Sequence, residues 1–321
     1  GSLGLGGNEL VPAIAVLAAV TAAHLWKVSF GGGFQIVVTS LKFLLVVGLA
    51  VAGFANAGKG DLSLMPVEGD YSLVWGAPFA ISLFFVNYSY AGWNAATYVA
   101  GEIRNPARGV PRALVLGTLL VMVLYLIVNA AFIVSTPAEV MAGKPEVGLA
   151  VAKHLFGDSG GSVVGALIAF GLISLISAMT WAGPRVGQMM GQDYRALGWL
   201  ARENRHGVPV VAVLLQSFVA LVLLLVAADV KQLILYLEFV LNLSLAAAVA
   251  GVFWLRWKQP DLPRPYRALG YPITPLLFLL MAVYIEWRFV QMHPREAIGG
   301  LFTLALGALI YGICRWVERP R

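Results

Sequence analysis

Apolar runs of about 20 residues recur along the whole chain, separated by short polar segments, and this repetition constrains the fold more than any other feature. A run of that length, wound as a helix at 1.5 Å per residue, matches a hydrocarbon layer about 30 Å thick. Lipid offers the backbone no hydrogen-bond partner, so only helices or closed barrels span it. A barrel would show alternating segments of about ten residues, and the sequence has none. Of the 321 residues, 60% are hydrophobic and 12% charged, where soluble domains carry about 25% charged. The chain reads as an all-α polytopic membrane protein in one transmembrane domain, 1–321. The expected spans are 10–26, 36–54, 73–101, 113–135, 162–182, 208–228, 231–257, 273–291 and 297–316.

Basic residues set the orientation. Lys27, the arginines of 104–112, 185–205 and 315–321, and the Arg and Lys residues of 256–267 fall in one set of alternate connections. Lys59, Lys144, Lys153, Lys231, Arg288 and Arg295 fall in the other, and Lys42 alone lies inside a span. The first set is the larger, fifteen against six, which predicts a cytoplasmic C-terminus. The net charge of +6 is therefore topological and does not point to nucleic acid. The opening GSLGLGGNEL has neither Met nor signal peptide, and reads as the middle of a longer polypeptide.

Segment 73–101 is the anomaly. Its 29 residues would make a helix of roughly 43 Å, longer than the membrane requires. The first half, LVWGAPFAISLFFV, is apolar; NYSYAGWN then gathers polar, aromatic and small residues where the span should be deepest. Non-helical backbone at that depth is tolerated only against protein or a watery cavity, and transporters use such breaks to hold ions and zwitterions. The alternative is close packing, because Gly92, Ala96 and Ala100 fall four residues apart. Packing beyond a break satisfies both.

FFVNYSYAGWNAATYVAGEIRNPARGVPRAL closely resembles the sixth span and following loop of the amino acid–polyamine–organocation permeases. WAGPRVGQMMGQDYRALGWLARENRHGVPVVAV resembles a divergent form of that family's loop after span eight, and WLRWKQPDLPRPYRALGYPITP its loop after span ten. The resemblance implies spans four to twelve of a twelve-span fold built from two inverted five-helix repeats. The first repeat would end in 10–57, the second would occupy 73–257, and two C-terminal helices would follow in 273–316. It also implies a substrate site at the break. Tyr88 matches a gating aromatic, and Ser89, Tyr90, Ala91 and Gly92 match the unwound stretch. Trp93 and Asn94 open the second half-helix, with Asn94 a candidate substrate contact. The competing readings are aromatic packing for Tyr88 and Trp93 and an N-cap for Asn94.

Lys42 lies seven positions into QIVVTSLKFLLVV, about 10 Å along its helix. A central lysine costs roughly 2.5–3.5 kcal/mol on insertion scales, so it needs a partner, a task, or a stem long enough to snorkel. The resemblance favours a task. Some sodium-independent members carry a lysine here whose amine replaces a sodium ion, which would make Lys42 a proton-coupling residue with Ser174 and Ser177 as hydroxyl partners. Ser174 and Ser177 read equally well as helix-face packing. Glu238, with Asn242 one turn on, departs from the family pattern. It suits cation selection, proton transfer or a solvated outer vestibule. Glu286 and Arg288 read as interfacial, and the arginines of 102–112 as cytoplasmic anchors.

The expected function is secondary active transport of amino acids or related amines, proton-coupled or by exchange, in a bacterial-type cell membrane and with no cofactor. A solute sensor on the same fold is the alternative. An intramembrane hydrolase needs a nucleophile–base pair or metal ligands in the bilayer. His24, His154, His206 and His293 are scattered, mostly in expected loops, with no ligand spacing, and no span is expected to offer one. Cys314 is the single cysteine, which excludes an internal disulfide and a Cys-based metal cluster. A channel would show a repeated filter or a charge ring, and the sequence has neither.

Overall fold

The computed structural model describes residues 7–26, 32–61, 65, 69–73, 76–144, 146–226, 230–264 and 266–318. The opening at 1–6 and the basic residues Lys27, Arg319 and Arg321 lie outside them. The helices, in order, are α1 (Gly7–Trp26), α2 (Gly32–Ala55), the short α3 (Asp70–Leu73), α4 (Ala77–Ser89), the short α5 (Ala95–Tyr98), α6 (Pro106–Ser135), the short α7 (Ala138–Met141), α8 (Val147–Asp193), α9 (Val210–Val226), α10 (Val230–Lys258), α11 (Ile273–Met292) and α12 (Pro294–Val317). Six of them, α2, α6, α8, α10, α11 and α12, are long and apolar enough to cross a membrane, and Leu10–Trp26 and Val210–Leu225 are shorter apolar helices. Among the described residues the only β pairing is an isolated bridge between Glu203 and Pro209. Leu116, Leu120 and Leu126 on α6 and Leu277, Leu280 and Val283 on α11 point outward. So much exposed apolar surface suits lipid, whereas soluble monomers rarely expose large apolar patches.

The helices pack in two groups. α1, α2, α8 and α9 contact one another, with α6 laid along α2; α10, α11 and α12 form the second group, with α4 against α11. Leu49, Ala152 and Val164 are buried together at the heart of the first. The second is centred on Phe84, Leu235, Phe239, Ile285, Phe289 and Ala297, where Phe289 stacks on Phe84 at 4.6 Å and on Phe239 at 5.2 Å. Close approach depends on small residues, as it does generally between helices in lipid. A Cβ at Gly53 would stand 2.8 Å from that of Ala131, and one at Gly300 2.5 Å from the ring of Phe239.

Two expected boundaries move. The span expected at 162–182 belongs to a helix of 47 residues, Val147–Asp193, kinked at Gly157, where φ is 72°. WAGPRVGQMM, expected as loop, is therefore helical. Pro184 cannot donate a backbone hydrogen bond, but the Arg185 guanidinium bonds the Trp181 carbonyl and lies 4.2 Å over the Trp181 ring, which braces that turn. The helix expected from 113 begins instead at Pro106, because a proline in the first turn loses no intrahelical bond. Arg108 and Arg112 thus sit on the first turns of α6 rather than in a loop.

Gly60 marks the tightest contact between the end of α2 and α6. Its N–H bonds the Val134 carbonyl at 3.1 Å, and a Cβ there would fall 2.1 Å from the Ile133 oxygen. Gly60→Ala is expected to lower the thermal unfolding midpoint, since overpacking typically costs about 1–3 kcal/mol. An unchanged midpoint by intrinsic fluorescence would contradict this approach.

Candidate functional site

The apolar half of segment 73–101 forms α4, which stops at Ser89. Tyr90 and Ala91 close tight turns onto the carbonyls of Asn87 and Tyr88 at 3.1 and 3.0 Å. Gly92 then takes φ +97°, a conformation that glycine adopts freely and side chains resist. The chain resumes with Ala95, Ala96 and Thr97 bonded to the carbonyls of Gly92, Trp93 and Asn94. Among the described residues, five backbone groups make no hydrogen bond of good geometry: the N–H groups of Gly92, Trp93 and Asn94 and the carbonyls of Tyr90 and Ala91. Ser, Tyr, Gly and Asn are all mediocre or poor helix formers, so local propensity agrees with the break.

Tyr90, Ala91, Gly92 and Trp93 border a cleft of about 450 Å³, whereas Tyr88 and Asn94 are not among its lining residues. Ser89, Tyr90, Ala91, Gly92, Trp93 and Ala96 form one wall; α6 supplies the other, including Gly117, Thr118 and Tyr125. Tyr125 fixes the rim, donating its hydroxyl to the Ser89 carbonyl at 3.1 Å and meeting the Tyr90 ring edge-on at 5.2 Å. Tyr88 and Trp93 are 41% and 43% exposed, so neither is a core packing residue. Asn94 occupies the N-cap position of α5 but makes no side-chain cap bond; its amide donates to the Tyr98 hydroxyl instead. Gly92 rests on α8, where a Cβ would meet Met179 at 3.5 Å. Small-residue packing therefore operates around Gly92 and Ala96, but not along one continuous helix.

A second cleft, of about 620 Å³, is formed by the loop between α10 and α11. Two of its three arginines are engaged: Arg264 donates to the carbonyls of Gln259, Pro260 and Leu262, and Arg256 stacks 3.5 Å over Tyr271. These contacts close the end of α10.

Lys42 lies on α2 with its side-chain carbons against Gly171 of α8; a Cβ at Gly171 would stand 3.2 Å from the Lys42 Cε. Met179, which touches the break, is eight residues further along α8, about 12 Å. Ser174 is fully buried between these points. The Ser177 hydroxyl bonds the His24 ring at 2.9 Å, so this partner expected for Lys42 is engaged by α1. His24, inside the expected span 10–26, is 8% exposed on α1, and His154 lies within α8, so these two histidines sit on helices rather than in loops.

Glu238 and Asn242 are not among the residues lining the cleft at the break. Both are 1% exposed, so the reading of Glu238 as a solvated vestibule residue is wrong. Asn87 donates to the Glu238 Oε1 at 2.6 Å, and Asn242 to the Glu286 Oε1 at 2.7 Å. Glu286, expected at the interface, is 7% exposed; its face of α11 turns inward with Ala282, Ile285 and Phe289. Asn87 closes the apolar half-helix, and its place at the head of NYSYAGWN is the sequence signal for this contact. A lone acid in MAVYIEWRFV was the signal for Glu286.

Long apolar helices, beside a shorter one that ends at a cleft in a turn with unpaired backbone, define the class: an integral membrane protein with a discontinuous helix. The family model described as "Amino acid permease" matches residues 8–313, and the chain belongs to that family. It is 28% identical to b(0,+)-type amino acid transporter 1 of Mus musculus, over 97% of this chain and 65% of that protein. Identity is 26% to Large neutral amino acids transporter small subunit 2 of Homo sapiens, over 98% of this chain and 59% of the relative. The Cystine/glutamate transporter of Homo sapiens is 24% identical, over 98% and 62%. The chain thus spans about three-fifths of the length of these relatives. The family and its relatives are transporters, not enzymes.

Gly92→Ala separates a true break from a continuous helix by sign. At φ +97° an alanine is expected to destabilise the protein by about 1–2 kcal/mol. In an uninterrupted helix the same change would stabilise by about 1 kcal/mol. Thermal unfolding of the purified protein in detergent reads the difference.

Proposed function

We propose that this protein is a secondary active transporter of amino acids or related amines, working by alternating access around the turn at Tyr88–Asn94. The observation that carries the proposal is the set of backbone groups without partners at Tyr90–Asn94, of which those of Tyr90, Ala91, Gly92 and Trp93 border an open cleft. The carbonyls of Tyr90 and Ala91 follow the C-terminal, negative end of α4 and suit a substrate ammonium group. The N–H groups of Gly92, Trp93 and Asn94 are donors of the kind a carboxylate accepts. Tyr88 gates the turn, and Trp93 and Asn94 contact the substrate, Asn94 by exchanging its bond to Tyr98. Glu238 and Asn242 act behind this surface.

The names of the relatives support amino acids as the substrate class. The twelve-span inverted-repeat architecture, the cell-membrane location and the cytoplasmic C-terminus belong to the same proposal and rest on the motif order and on the excess of arginine in one set of loops. Transport is driven by a proton gradient or by exchange, with Lys42 as the coupling residue and Ser174 beside it. An amine held against Gly171 on an apolar face can lose and regain its proton as the helices move.

Uptake of labelled amino acids by the full-length protein in vesicles tests the proposal. Flux under an imposed proton gradient, or accelerated by amino acid on the far side, is expected. Saturable binding with no flux under any gradient would instead mark a sensor. Lys42→Ala is expected to abolish accumulation driven by an imposed proton gradient while leaving substrate binding; gradient-driven accumulation that survives the substitution would remove Lys42 from the mechanism.

A further inference from the structure

Behind the break, three helices bring two carboxylic residues together in the second helix group. α10 supplies Glu238 and, one turn on, Asn242; α11 supplies Glu286; α4 supplies Asn87, three residues before the turn. Each Oε1 accepts one amide hydrogen bond, from Asn87 to Glu238 and from Asn242 to Glu286. Each Oε2 is buried and, among the described residues, has no partner. The surroundings are apolar: Phe84, Leu235, Phe239, Ile285 and Phe289.

Among the described residues neither carboxylate makes an ion pair: Arg288, two residues from Glu286, directs its guanidinium to Gln291 at 3.1 Å and keeps its Nε buried without a partner, and His293 meets the Phe289 ring at 5.2 Å. From α4, Tyr88 lies within electrostatic reach of Glu238, and Glu238 within reach of Glu286. The Tyr284 hydroxyl on α11 is buried without a partner. α12 meets α10 through Ala297 and Gly300, which present no charge.

Two ionised carboxylates so placed would be two like charges in a medium that solvates neither. A neutral acid keeps the amide bond to its carbonyl oxygen and turns its bare oxygen into an O–H donor. We propose that Glu238 and Glu286 form an intramembrane proton-binding site, distinct from Lys42, whose occupancy is read by the broken helix through Asn87. Hydrogen bonds to an ionised acceptor are roughly twice as strong as neutral ones. Loss of the proton therefore tightens the hold of α10 on the first half-helix, and uptake of the proton loosens it. The binding site stands independently of transport; only its link to the break rests on the transport reading.

Infrared spectroscopy of the full-length protein in lipid nanodiscs at neutral pH tests the site without flux. The carbonyl stretch of a protonated carboxylic acid is expected in the wild type, moved by isotope labelling of glutamate. The band is expected to shift or disappear in Glu238→Gln and Glu286→Gln and to be absent from the double variant. Absence of the band from the labelled wild type overturns the proposal, whether or not the variants fold. A band identical in the wild type and a folded double variant overturns it equally. If the carboxylates are instead ionised and their stretch responds to sodium, the pair is a cation site and the proposal fails. In vesicles, Asn87→Ala is expected to keep the band and lose the pH dependence of uptake. A band without any flux in the wild type would leave the proton site standing and sink the transport reading.

Discussion

A peptide group inside a bilayer has no water to bond with, so each N–H and C=O there needs an internal partner or carries a large desolvation cost. The rest of this structure depends on that constraint. It favours helix along the apolar segments, and on the proposed reading it makes Tyr90–Asn94, where five groups lack partners, the place where a polar solute is received. The neighbourhood agrees. One flank of the turn is held by Met179 of α8 and the Ser89 carbonyl by Tyr125 of α6, while the cleft beside it stays open.

α8 is the element that relates the parts. Over twelve residues, about 18 Å, it carries Lys42 on Gly171, His24 on Ser177, the break on Met179 and Gln216 against Gly183. A Cβ at Gly183 would fall 2.3 Å from the Gln216 amide, and Gln216 also donates to the Met179 carbonyl. Helices α1, α2, α5 and α9 are therefore all referenced to one rod. A shift of the turn at Gly92 along that rod reaches the environment of Lys42 within about two helical turns. On its other side the break is tied to α10 through Asn87 and Glu238, so both proposed proton sites are mechanically linked to it.

Much of this was legible in the sequence because lipid leaves few options. Runs of apolar residues had to be helices, and NYSYAGWN had to be a break or a packing seam; Gly92 at positive φ selects the break. Helix ends were less legible. The span expected to end at 182 runs on through Pro184, braced by Arg185 on Trp181, and the helix expected from 113 opens at Pro106. Partners were the least legible. Glu286 sits near the end of its apolar run, and only the packing of α11 against α4 and α10 shows that its face is internal. Ser177 and Lys42 share a helix pair by sequence reasoning, but the third helix, which brings His24, decides where that hydroxyl goes.

The central claim is that the amides of Gly92, Trp93 and Asn94 are unpaired until a solute occupies the turn. Hydrogen–deuterium exchange of the full-length protein in nanodiscs, with and without a mixture of the standard amino acids, measures this directly. The account predicts rapid exchange at these three amides in the empty protein and strong protection when the mixture is present, with the flanking α4 amides slow in both. Slow exchange at all three in the empty protein, or fast exchange that the mixture does not change, would contradict it.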